Sequence, residues 1–154
     1  MSILADSSLP ENRLQPNAEA APGDFSPAAK KSPRVGVLIV DDESLIRWSL
    51  AQTLLDHDYT VMEAGDGKQA LAVLRNSPEP IAVVMLDYRL PDTTGLQLLS
   101  VIRRLSPESR VVMMTAYGTT EVLAEAIRLG AVCVISKPVE MQDVPAIVSR
   151  AMAS

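Results

Sequence analysis

From Val35 onward the chain alternates five short, β-branched apolar runs with segments of helical period, and few folds accept that alternation. The runs cover residues 35–40, 59–63, 81–86, 110–115 and 131–136, each of strand length and too short for an ordinary helix. Between and after them the apolar spacing changes to that of a helix. Leu45, Ile46, Leu50 and Leu54 are expected on one buried face, and Ala70, Leu71 and Leu74 on another. Leu98, Leu99 and Ile102 form a third, Val122, Leu123, Ala126 and Ile127 a fourth, and Val144, Ile147, Val148 and Ala151 a fifth. Asp66-Gly67-Lys68-Gln69 and Thr94-Gly95-Leu96-Gln97 resemble capping boxes, and Gly130 suits a helix C-cap. Strand then helix, five times over, predicts an α/β fold with a doubly wound parallel sheet and five helices. The runs starting at Val35, Ile81 and Arg110 are apolar nearly throughout, as strands covered by helices on both faces must be.

Residues 1–34 follow a different composition. Pro10, Pro16, Pro22, Pro27 and Pro33 interrupt a stretch rich in Ala, Ser, Asn and Glu, and no period persists. Such a segment buries too little apolar surface to offset its ordering entropy, so a disordered tail is expected there and one folded domain over 35–154. The formal net charge of −5 comes without a basic stripe. Direct nucleic-acid binding is therefore not expected, since phosphate contacts need clustered Lys and Arg. The cluster Lys30-Lys31-Ser32-Pro33-Arg34 reads as a solvated segment. Cys133 is the single cysteine, which excludes an internal disulfide, and its apolar run predicts a small buried thiol. The N-terminus has neither a cationic n-region nor a long h-region, and the longest apolar runs fall well short of a bilayer. The expectation is a cytoplasmic protein without membrane contact.

In open α/β sheets, ligands sit beyond the carboxyl ends of the strands. After the first run comes Asp41-Asp42-Glu43, and after the third comes Asp87. The fourth ends in Thr115-Ala116, the fifth in Ser136-Lys137-Pro138. Singly, each of these residues is unremarkable as a cap, a strand-end hydroxyl or a surface charge. Their convergence from four strand ends on one rim points to a phosphoryl site. Packed carboxylates raise one another's pKa, and a divalent cation relieves the repulsion. Mg²⁺ suits one or two carboxylates, waters and a phosphate oxygen. An Asp carboxylate attacks a phosphoryl group competently, and a lysine offsets the charge spread over the transferring oxygens.

The stretches Val37-Leu38-Ile39-Val40-Asp41-Asp42, Met85-Leu86-Asp87-Tyr88-Arg89-Leu90-Pro91-Asp92, Met114-Thr115-Ala116 and Ser136-Lys137-Pro138 resemble the four signatures of response-regulator receiver domains. The likeness runs from Val35 to the C-terminus and implies a flavodoxin-like sheet of strand order 2-1-3-4-5. It implies that Asp87 accepts a phosphoryl group from the phosphohistidine of a sensor histidine kinase or phosphotransfer protein. It implies further that Asp41, Asp42, Asp87 and the backbone carbonyl of Arg89 hold Mg²⁺, and that Thr115 and Lys137 contact the phosphoryl group. A cis bond is implied between Lys137 and Pro138, room beside the phosphate at Ala116, and control of phosphoryl lifetime at Arg89 and Tyr117. A receiver is a conformational switch for a partner or output domain, not an enzyme turning over an external substrate. Ser44-Leu45-Ile46-Arg47-Trp48 is similar to receivers of the nitrogen-regulator type, with Trp48 expected to be a partly buried helix residue.

Two positions depart from the family pattern. Val134 stands where many receivers carry Tyr or Phe, so an aromatic switch is absent, and Pro145 falls near the start of the last helix. Both lie on the surface of the fourth helix, fifth strand and fifth helix, the family's usual face for effectors and homodimers. A haloacid-dehalogenase phosphatase requires a second Asp two residues after its nucleophile on the first strand, where Glu43 stands instead. A flavodoxin requires a phosphate loop there, which Asp41-Asp42-Glu43 excludes by charge. A receiver-like binding module that is never phosphorylated would normally lack one of the acids or the lysine, and all are present.

Overall fold

Each apolar run becomes a strand because its side chains are taken up by helices on both sides, and the computed structural model, which describes residues 34–154, follows the expected alternation closely. The strands are β1 (Gly36–Val40), β2 (Thr60–Ala64), β3 (Ile81–Asp87), β4 (Arg110–Thr115) and β5 (Cys133–Ser136). The helices are α1 (Ser44–Leu55), α2 (Gly67–Asn76), α3 (Gly95–Leu105), α4 (Thr120–Arg128) and α5 (Val144–Met152), with a short 3-10 turn (Met141–Asp143) leading into α5. All pairings are parallel and the order is β2-β1-β3-β4-β5, the expected 2-1-3-4-5. The tail expected over residues 1–34 lies outside the described residues except for Arg34.

Successive strand side chains point to opposite faces, so each central strand feeds two cores. Leu38, Val40, Val84, Leu86, Val111 and Met113 meet Ala70, Leu98, Leu99, Ile102 and Ala126 from α2, α3 and α4. Val37, Ile39, Val83, Met85, Val112 and Met114 meet Leu50, Ala51, Leu54, Val144, Val148 and Ala151 from α1 and α5. Burying each large aliphatic side chain contributes about 1.5–3 kcal/mol, which makes these two layers the rigid support of the strand ends.

The local signals act as expected, with some differences. Asp66 accepts from Gln69 N at 2.8 Å and Thr94 Oγ1 accepts from Gln97 N at 3.2 Å, so both helices are capped. The reciprocal bond of each capping box goes elsewhere: Gln69 Oε1 accepts from Gly65 N, and Gln97 Oε1 from the Thr93 hydroxyl. Gly130, at φ +109°, closes a Schellman motif in which Ala131 N donates to Ala126 O and Gly130 N to Ile127 O. Pro145 sits in the first turn of α5, where its missing N–H costs nothing. Leu45 is a correction. It is 74 % exposed, because at ~100° per residue it lies about half a turn round the helix from Leu54. Trp48, at 57 %, is likewise more exposed than expected, and on α4 only Ala126 is buried while Leu123 and Ile127 face outward. Cys133 is half-buried rather than enclosed.

Candidate functional site

Strand register decides which side chains share the rim. Val40 pairs with Ala64 and Leu86, so Asp41, just past β1, and Asp87, the last residue of β3, emerge together at the ends of two adjacent central strands. Asp87 pairs with Met114 and Thr115 with Ser136, which brings the hydroxyl and the following Lys137 to the same edge. The loops there enclose a cleft of about 360 Å³ lined by Asp42, Glu43, Asp87, Tyr88, Arg89, Thr115, Ala116, Tyr117 and Lys137. Asp41 lies fully buried beside it. The cleft thus gathers the residues read from the four sequence signatures. Val134 stands apart from it, partly buried against the layer that holds Ala126, and the Lys137–Pro138 bond is cis.

The charges are unevenly matched. Lys137 Nζ lies 2.8 Å from Asp41 Oδ2, 3.2 Å from Asp87 Oδ2 and 3.3 Å from Glu43 Oε1. Burial works against its charge, but the close ion pair with Asp41, and attraction to Asp87, outweigh that and raise its pKa well above the usual lysine value. Asp87 is pushed up to about 6, first by burial and then by repulsion from Asp41, with Lys137 and the Arg89 N–H holding it back. A single cation therefore leaves the cluster with negative charge in excess. Oxygen atoms of Asp41, Asp42 and Asp87 lie within 4.8 Å of one another, and Asp41 Oδ2 is buried without a hydrogen-bond partner, its contact with Lys137 being an ion pair. Hard carboxylate oxygens, crowded and under-neutralised, fit a small divalent cation.

The flanking loops are tied down individually. Glu43 N donates to Asp41 Oδ1 at 2.9 Å, and Arg89 N to Asp87 Oδ1 at 3.3 Å. Thr115 Oγ1 accepts from Tyr117 N at 3.1 Å. The Arg89 guanidinium lies over the Tyr117 ring, 5.3 Å from its centroid, at the mouth of the cleft. Two participants escape sequence reading. Arg47 Nη1 donates to the Asp41 carbonyl at 2.6 Å, and its only hint in the sequence is a basic residue one turn into the helix after the acidic pair. Asp92, from the loop after β3, accepts from Gly67 N and Lys68 N and so caps α2 across a gap of 25 residues, for which the sequence carries no signal. These two bonds, offset by slight burial, hold its carboxyl below the usual range.

A family model described as the response regulator receiver domain matches residues 37–149. Sporulation initiation phosphotransferase F of Bacillus subtilis is 32 % identical over 108 residues, which is 70 % of this chain and 86 % of that protein. Response regulator protein PilR of Pseudomonas aeruginosa is 35 % identical over 119 residues, 77 % of this chain but 26 % of PilR. The chain spans about a quarter of the length of the curated relatives that head the comparison. Among solved structures, the receiver domain of NtrX from Brucella abortus superposes with a TM-score of 0.70 at 34 % identity, covering 77 % of this chain and 98 % of that one. That likeness agrees with the nitrogen-regulator resemblance of residues 44–48.

Proposed function

This chain belongs to the response regulator receiver domain family, and from that membership we propose that residues 35–154 form a phosphoacceptor switch charged at Asp87. The observation that carries the proposal is the position of the Asp87 carboxylate, facing the cleft with Lys137 on one oxygen and the acidic pair beside it. A pKa of about 6 leaves that carboxylate ionised at neutral pH, as a nucleophile must be. One of its oxygens attacks phosphorus as the P–N bond to the donor imidazole breaks, and the bonding pair returns to the imidazole nitrogen. The ammonium of Lys137 offsets charge on the phosphoryl oxygens, and the Thr115 hydroxyl donates to one of them. Asp41, Asp42, Asp87 and the backbone carbonyl of Arg89 would hold Mg²⁺, which when bound supplies further positive charge at the same oxygens.

The donor is a phosphohistidine on a sensor kinase or phosphotransfer protein. Leu45 and Trp48, exposed on the first turns of α1 just beyond Glu43, offer that partner an apolar foothold beside the cleft. The Arg89–Tyr117 stack over the mouth limits water and so sets the lifetime of the aspartyl phosphate. Output runs through α4, β5 and α5, where Leu123 and Ile127 are exposed, toward an effector or a second copy of the chain. No direct contact with nucleic acid or membrane is proposed, and among the described residues no helix is long and apolar enough to cross a membrane. Intact-protein mass spectrometry after incubation with acetyl phosphate tests the reading, with and without Mg²⁺ and beside Asp87→Asn. A single phosphoryl adduct that needs Mg²⁺ and is lost in the variant is expected. No adduct in any condition would sink the proposal in favour of a binding module that works unphosphorylated.

A further inference from the structure

Asp41 and Asp42 occupy a loop, and a loop holds carboxylates in register only if its main chain is fixed. Asp41 N donates to Ala64 O at 3.0 Å, which anchors the first residue to β2. The next peptide, joining Asp41 to Asp42, has its carbonyl oxygen on Arg47 Nη1 at 2.6 Å, while Arg47 Nε donates to Glu63 Oε1 at 3.0 Å. The guanidinium thus spans from α1 across the end of β1 to β2, with its side chain 21 % exposed. Its planar fork presents donors in fixed relative directions, so seating Nε on Glu63 also aims Nη1 at the carbonyl. Glu63 is an outward-facing residue of an edge strand and touches none of the cleft, yet through Arg47 it helps set the plane of the Asp41–Asp42 peptide.

We propose that Arg47, seated on Glu63, is the positioning residue of the acidic cluster, fixing the peptide from which the Asp41 and Asp42 carboxylates project toward a divalent cation. The inference rests on the reading that this cluster holds Mg²⁺. Partners one shell out from a metal typically change its affinity by about 10- to 100-fold when removed.

Isothermal titration of the full chain with MgCl₂ tests this, comparing wild type with Arg47→Ala, Arg47→Lys, Glu63→Gln and Val148→Ala. Arg47→Ala should weaken Mg²⁺ binding by about tenfold or more. Arg47→Lys should recover part of the loss, since one ammonium reaches the carbonyl without the second tooth of the fork. Glu63→Gln should move the affinity in the same direction by less. Val148→Ala, a core truncation remote from the loop, should lower stability and leave the affinity at the wild-type value, which separates positioning from general loosening. An Arg47→Ala affinity within about twofold of wild type would overturn the proposal. If that variant does not fold, wild-type affinity in both Arg47→Lys and Glu63→Gln would do the same, as would an equal loss in Val148→Ala. Absence of any Mg²⁺ binding in the wild type refutes the metal reading itself, and is seen before any variant is compared.

Discussion

Removing the charge of Asp87 should make the metal-free protein more stable. Its carboxyl is pushed from 3.8 to about 6 by burial and by Asp41, so the folded state holds the proton more tightly than the unfolded chain does. The associated stabilisation is complete below pH 3.8 and is lost as pH rises through about 6. Each tenfold change in an acidity constant corresponds to ~1.4 kcal/mol, so an ionised Asp87 costs about 3 kcal/mol. Little is lost to solvent screening, because the side chain is only 8 % exposed. The amide introduced by Asp87→Asn is neutral at every pH and close in shape to the carboxyl it replaces. We expect this variant to exceed wild type by ~2–3 kcal/mol at pH 8 in the presence of a chelator, with the difference shrinking toward zero near pH 4. Urea titrations across that range measure it, with unchanged m-values required so that the two unfolded states are comparable. Saturating Mg²⁺ should narrow the gap at pH 8, since an ion that binds the native wild-type cluster stabilises it by mass action. Coincident wild-type and Asp87→Asn curves at pH 8 without metal would refute the claim that net repulsion acts on this carboxylate.

Other outcomes follow from single contacts. Lys137→Met leaves Asp41 and Asp87 buried without their cation and should cost about 3–5 kcal/mol near neutral pH, with a smaller loss in an Asp87→Asn background; equal losses in both backgrounds would rule out the coupling. Gly95→Ala would place a Cβ 2.7 Å from the Asp87 carbonyl oxygen and 2.8 Å from Tyr88 Cα, both main chain. Overpacking of about 1–3 kcal/mol should outweigh the helix-propensity gain of alanine, and a higher melting temperature would contradict it. Asp92→Ala should cost about 1 kcal/mol as a lost cap. Because the carboxyl of Asp92 titrates below its ordinary value, that contribution is present at neutral pH and lost as pH falls through the lowered pKa. Thermal melts at pH 7 should therefore separate wild type from Asp92→Ala, and melts in acid should bring the two together.

What the sequence reveals here is what short-range rules control. Runs that are apolar on both faces could only be central strands, and strand order plus parallel pairing then carries Asp41, Asp87, Thr115 and Lys137 to one rim. Leu45 is misplaced by its spacing because a four-residue apolar set fits a helical period loosely. The buried stripe is decided by whichever residues meet the sheet, here Leu50, Ala51 and Leu54. Arg47 and Asp92 are out of reach for a different reason. Each acts through a side chain that crosses to another element and bonds main-chain atoms there, and main-chain donors and acceptors are the same at every position. Nothing in residue identity marks which carbonyl or N–H will be chosen.

The hydroxyl of Thr115 accepts a bond from the main chain two residues on and still has its own proton to give. Accepting from the loop and donating into the cleft are thus compatible, so the two tasks need not compete for one atom. If the hydroxyl swings toward a new acceptor, the amide of Tyr117 is on a tether and follows. The loop is towed rather than released, and the ring of Tyr117, stacked on Arg89 at the start, is carried with it. The cleft's mouth and its interior then move as one piece of linkage.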